Sequence, residues 1–193
     1  MSYIKGSVGY LQLSDWWLNE LSQIERDIIL NIYNPMGCSS KNLIVGDIIS
    51  TSETRVNLIS GIASWLKDYE NLELAKKLFT KAENLIDSKT STLDIHFLYH
   101  NEIKIFYKHR IKIGIEPTIN SCEKQIRISV KSAKALISEY GIPLPSHKGY
   151  QQLAIILEKL AEYQKCIKIC IKAKNQGWSG DWDKRIERCL KKT

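Results

Sequence analysis

The sequence predicts an all-α fold of about eight helices, arranged as stacked antiparallel helical hairpins in a single domain. Three observations carry that prediction. Apolar residues recur at three- and four-residue steps through most of the 193 residues, which is the period of one helix face. The prolines, Pro35, Pro117, Pro143 and Pro145, fall at the ends of those periodic stretches, where a residue without an N–H does least harm. Finally, Ala75, Phe79 and Ala82 occupy the same relative places as Cys166, Cys170 and Ala173, an internal repeat at low identity.

Residues 1–51 are expected to form an N-terminal helix followed by a polar loop. Ser14 or Asp15 can cap a helix bearing Trp17, Leu18, Leu21, Ile24, Ile28, Leu30 and Ile32. Trp16 and Trp17 are neighbours and point in different directions on a helix, so one is expected in the core and the other partly exposed. The helix should stop near Tyr33, because Asn34-Pro35 and Gly37 are breakers. The loop beyond it carries Gly37, Ser39, Ser40 and Lys41, groups that can cup a phosphate, although the order and spacing of a nucleotide-hydrolase phosphate loop are missing.

Residues 52–88 form the first helical pair, with Leu58, Ile59, Ile62 and Trp65 on one helix and Leu72, Ala75, Phe79, Ala82 and Leu85 on the other. Residues 92–140 form a divergent pair, Asp94–Ile113 and Thr118–Tyr140. Pro117 suits the start of its second helix, and Gly141 with Pro143 and Pro145 suits the end. That helix carries a basic stripe of Lys124, Arg127, Lys131 and Lys134. Residues 147–180 form the second pair, and a capping helix within 181–193 starts at Asp181 and turns Ile186, Cys189 and Leu190 toward the end of the stack.

In 148–182 the apolar places are Tyr150, Leu153, Ala154, Leu157, Ala161, Tyr163, Cys166, Cys170 and Ala173, with Trp178 closing the unit. This spacing resembles the tetratricopeptide repeat, a helix-turn-helix unit of about 34 residues. Ala161 stands where that repeat usually has its turn glycine, and Trp178 where it usually has proline. The closing NQGWSGDWDKRIER is similar to the end of small tetratricopeptide-like proteins of bacteria and phages. The resemblance implies stacked hairpins with a concave binding groove, faced by Asn57, Ser60 and Ser64 of the first repeat and by Lys148 and Gln151 of the second.

Charge is distributed unevenly. Residues 1–100 hold nine Lys and Arg against twelve Asp and Glu, whereas residues 101–193 hold nineteen against nine. A basic half attracts anions, whether nucleotide, nucleic acid or acidic protein surface. Aromatic residues interleave with the cations: Tyr107, Lys108 and Arg110 end one helix, Lys124 and Arg127 follow, His147 and Lys148 open the last repeat, and Trp178, Trp182 and Arg185 close it. Aromatic faces beside Arg and Lys can stack a base and neutralise its phosphate, and the same aromatics also suit packing.

The composition favours binding over catalysis. No glycine-flanked serine or reactive-cysteine signature is present, and no cofactor is implied. His96 and His100 stand four apart, a spacing that can share a metal, but Phe97 occupies the place of a metalloprotease glutamate and packing is the better reading. Cys166 and Cys170 likewise suit packing better than a metal. The odd number of cysteines and the lack of a signal-like or membrane-spanning stretch point to a cytoplasmic protein with reduced thiols. The expected function is therefore protein or peptide binding in the concave groove. The alternative is capture and sequestration of a small phosphorylated ligand such as a nucleotide signal, with nucleic acid a weaker third.

Overall fold

The computed structural model describes residues 4–35 and 39–192. The described residues are mostly helical, and the chain divides into two compact units, Met1–Lys89 and Thr90–Thr193. Among the described residues no helix is long and apolar enough to cross a membrane.

In the N-terminal unit the expected opening helix is replaced by three pieces. Helix α1 spans Gly6–Tyr10, a π-helical turn spans Trp16–Glu20, and α2 spans Gln23–Ile32. The break lies at Leu21, whose backbone is extended. The cap is Ser22 rather than Ser14 or Asp15: its hydroxyl accepts the Glu25 N–H while the Glu25 carboxylate accepts the Ser22 N–H, a reciprocal pair that fixes where α2 begins. The wider π turn lets both Trp16 and Trp17 bury, edge to face at 5.9 Å, which overturns the expectation that one would be exposed. Helix α2 ends at Tyr33 as expected.

The loop that follows holds a 3-10 turn, Ser40–Leu43, in which the Ser39 hydroxyl accepts the Lys41 N–H. Ser39 lines a small cavity together with Glu53, so an anion there meets a carboxylate and the loop is a poor phosphate cup. Gly37 and Cys38 lie outside the described residues. Helices α3 (Arg55–Trp65), capped by Thr54, and α4 (Leu72–Asn84) pack together around Ile59, Ile62, Ala75, Phe79 and Ala82.

The C-terminal unit is built from α5 (Thr92–Ile113), α6 (Glu116–Arg127), α7 (Ser129–Tyr140), α8 (Lys148–Lys159), α9 (Tyr163–Asn175) and α10 (Trp182–Leu190). Packing runs α5 on α6, α6 on α8, α8 on α9 and α9 on α10, with α8 also against α5. The expected helix 118–140 is two helices. No glycine or proline marks the break at Ile128; the Ser132 hydroxyl turns back to the Ile128 carbonyl, and buried Ser129 meets the Tyr150 hydroxyl at 3.2 Å. Tertiary hydrogen bonds here override local propensity. Two short strands also escape the helical reading. β1 (Leu144–Ser146) pairs in parallel with β2 (Trp178–Ser179), setting Leu144 opposite Trp178 and drawing that indole into the core. Asp181 opens α10 but makes no side-chain cap; its carboxylate turns to Arg185 instead.

Candidate functional site

The interior of the C-terminal unit is polar at its centre. His96 on α5 and His147 at the N-cap of α8 are buried with ring centroids 5.1 Å apart, and the Trp178 indole lies parallel to His96 and edge-on to His147. His147 Nδ1 accepts the Tyr150 N–H at 3.2 Å, so the ring carries its proton on Nε2, which has no partner among the described residues. Gln125 ties the helices together. Its amide N–H donates to the His96 carbonyl at 2.9 Å, and its carbonyl accepts the Gly149 N–H at 2.6 Å. Burial, then the neighbouring His100, pushes His96 down to about 4; burial, then His96, pushes His147 down to about 3. Both rings are neutral near pH 7 and serve the fold.

His100, one turn beyond His96, leaves this interior for the surface. Burial, then the ammonium groups of Lys104 and Lys148, depresses it to about 4. Two lysines beside it repel a divalent cation, so the His96–His100 spacing serves packing. The described residues contain no cluster of three or more His, Cys, Asp or Glu side chains that could hold a metal. Cys122, Cys166, Cys170 and Cys189 are buried free thiols, and burial raises Cys122 to about 12.

The expected binding residues scatter. Asn57 and Ser60 belong to the N-terminal unit, where Asn57 is exposed but Ser60 is fully buried with its hydroxyl donating to the Asn57 carbonyl. Ser60 therefore does not face a groove. Trp178, Trp182 and His147 are core residues, each under 5% exposed, and offer no stacking face; the Trp182 Nε1–H donates to the Trp178 carbonyl at 2.6 Å. Arg185 is engaged with Glu158, which Arg188 also holds at 3.1 Å, so both arginines of α10 are spent on closing that helix against α8. Arg127 is exposed at the end of α6, Lys108 is exposed on α5, and Lys124 stands over the Tyr99 ring at 5.6 Å. Tyr107, Arg110, Lys148 and Gln151 are half-buried on α5 and α8, and these two helices pack together.

Two features were not singled out from the sequence. One is an open groove of about 500 Å³ over α6, α8 and α9, with Ile119, Leu153, Leu157, Leu160 and Ile169 as its apolar lining and Lys165 and Lys168 beside Glu123 and Glu162 at its rim. Leu153, Leu157 and Leu160 recur at four and three residues, the signal for one helix face, but periodicity does not tell a covered face from an open one. The other is the buried polar set Glu102–Ser121 and Gln125–Gly149, whose members are far apart in sequence. Comparison of the chain with family models, with curated proteins and with solved structures gives no match.

Proposed function

We propose that the chain is a tetratricopeptide-like binding module whose C-terminal unit receives a short amphipathic segment of a partner protein in the α6–α8–α9 groove. The observation that carries this reading is the groove itself: Leu160 is 56% exposed beside Leu157 and Ile169, so that an apolar surface lies open over α6, α8 and α9. The stacked-hairpin architecture is supported by consecutive pairs α3–α4 and α8–α9, whose matching residues Ala75, Phe79, Ala82 and Cys166, Cys170, Ala173 are all buried. A segment with apolar side chains at helical spacing fits such a groove. Charge selects its flanks: residues 90–193 hold nineteen Lys and Arg against ten Asp and Glu, and Lys168 at the rim has no carboxylate within salt-bridge distance among the described residues, so acidic flanks are favoured.

Selection of peptides from a displayed random library against the full chain tests this. The enriched peptides should share apolar residues at three- or four-residue spacing with acidic neighbours. Leu157→Asp should weaken them at least about tenfold, near 1.4 kcal/mol, in fluorescence polarisation. Peptides that bind Leu157→Asp undiminished would overturn the groove assignment.

A further inference from the structure

On the α5–α8 face the spacing of the helices aligns two rows of side chains. His100, Lys104 and Tyr107 follow at four and three residues on α5, and Lys148, Gln152 and Lys159 follow at four and seven on α8. One cross-helix contact fixes the register, Lys159 Nζ donating to the Tyr107 hydroxyl at 3.3 Å, and farther along the face the charge of Lys148 adds to the burial that depresses His100. Arg110 closes one end, its guanidinium 4.1 Å from the Tyr107 ring centroid and its N–H donating to the Tyr107 carbonyl at 2.7 Å.

The cations of this strip differ from the ion-paired cations of α9 and α10, and stand apart from other cations unpaired among the described residues, such as Arg127 and Lys168, in coming together from two packed helices. Lys165, Lys174, Arg185, Arg188 and Lys191 each meet a carboxylate. No carboxylate of the described residues lies within salt-bridge distance of Lys104, Arg110, Lys148 or Lys159. Holding like charges together without counter-charge costs stability, so the arrangement suits a ligand that supplies the anion. A second observation points the same way. Gln152 is 2% exposed, and its amide nitrogen reaches toward the Tyr107 hydroxyl yet closes no hydrogen bond of ordinary geometry. Burial alone would raise the Tyr107 phenol; the Lys159 hydrogen bond and the charges of Arg110 and Lys159 outweigh it and hold it below its ordinary value.

We propose that the strip of Lys104, Tyr107 and Arg110 on α5 and Lys148, Gln152 and Lys159 on α8 binds a small ligand carrying two or more phosphate groups. Lys148 to Lys159 covers about 16 Å of helix at about 1.5 Å per residue, a row of cations longer than a single phosphate can neutralise. The cations and the Tyr107 hydroxyl match the acceptor oxygens of a phosphate in number and kind. Base stacking contributes little: Arg110 covers Tyr107, Lys124 stands over Tyr99, and the indoles of Trp178 and Trp182 are buried. That separates the site from a single-strand nucleic-acid surface, which relies on open aromatic faces.

Calorimetric titration of the full chain with inorganic pyrophosphate tests the proposal. Saturable one-to-one binding is expected, weakened at least tenfold in Lys104→Gln/Lys148→Gln and less than twofold in Lys165→Gln/Lys168→Gln, which removes the same charge at the peptide groove. In NMR, saturating pyrophosphate should raise the His100 imidazole pKa, because the anion cancels the field of the two lysines. Absence of saturable binding overturns the proposal, as does equal weakening in the two double variants, which marks unspecific charge. Binding of polyglutamate or a single-stranded oligonucleotide with none of pyrophosphate also overturns it. Because the two double variants sit on different surfaces, failure here leaves the peptide groove intact.

Discussion

Acidification from pH 8 to pH 5 is expected to destabilise the folded chain by about 4 kcal/mol through two imidazoles. His96 and His147 start from an ordinary value of 6.5 and are lowered on folding to about 4 and about 3. Below pH 6.5 the unfolded chain takes up a proton at each that the folded chain refuses, so stability falls as pH falls and the loss levels off only near the folded values. At pH 5 both rings remain neutral in the fold, and each costs about 1.36 kcal/mol per pH unit over about 1.5 units, near 2 kcal/mol apiece. Both side chains are under 5% exposed, so solvent screening removes little of this; His100 is more exposed and is left out of the sum. The carboxylates held low by ion pairs, Glu25 and Glu158, lose their contribution only below about 4.5, outside the window. For a chain of this length 4 kcal/mol corresponds to a fall in Tm of about 10 °C. Thermal melts by circular dichroism at pH 8, 6.5 and 5 provide the assay. His147→Asn, which keeps an N-cap acceptor for the Tyr150 N–H but does not titrate, should remove about half of the pH dependence. Equal melting temperatures at pH 8 and 5, or an imidazole of the native chain titrating near 6.5 at either position, would refute the reasoning.

Two further substitutions have signs that local propensity alone would get wrong or miss. Gly149→Ala should improve helix α8 by propensity, yet a Cβ there meets Gln125 Oε1 at 2.9 Å and the Cys122 carbonyl at 3.0 Å, so urea denaturation should show a net loss of about 1–2 kcal/mol; a gain would mean that Gln125 yields freely. Ala161→Gly should raise stability by about 0.5–1 kcal/mol, because Ala161 holds φ at 58° at a cost of about 1–2 kcal/mol that glycine avoids, partly offset by the greater freedom of glycine in the unfolded chain; unchanged or lower stability counts against strain in this turn.

Helix positions were legible wherever periodicity and punctuation coincided: α4, α5, α8 and α9 begin and end close to where their apolar series do, and Gly141 terminates α7 with φ at 80°. Legibility failed where a partner distant in sequence decides the backbone. The break at Ile128 depends on Ser129 meeting Tyr150, and the burial of Trp178 depends on β1 lying beside β2; neither partner is visible in a local window. The site residues divided for the same reason. A basic stripe can be read from spacing, but whether each cation is spent or available depends on where the carboxylates fall. Glu158 claims Arg185 and Arg188, whereas nothing of the kind meets Lys104 or Lys148. Aromatics placed beside cations by sequence proved to be core wherever the repeat pattern also gave them a packing place, as with Tyr150 and Trp178.

The neutral interior and the cationic strip are electrostatically joined through His100. His100 contributes to lowering His96, and is itself lowered by burial first and then by the charges of Lys104 and Lys148. A phosphate on the strip therefore does more than occupy it: by cancelling the lysine field it raises His100 from the value that burial and the two lysines impose, and linkage requires that ligand binding strengthen as the pH approaches that raised value. A protonated His100 in turn presses harder on His96, which keeps the buried ring neutral and leaves the interior layer in place. The strip can thus gain charge at its surface without passing the proton to the core, and both effects fall in the same window below pH 6.5: binding strengthens toward the raised value of His100 while the fold weakens as the unfolded chain claims the protons refused by His96 and His147.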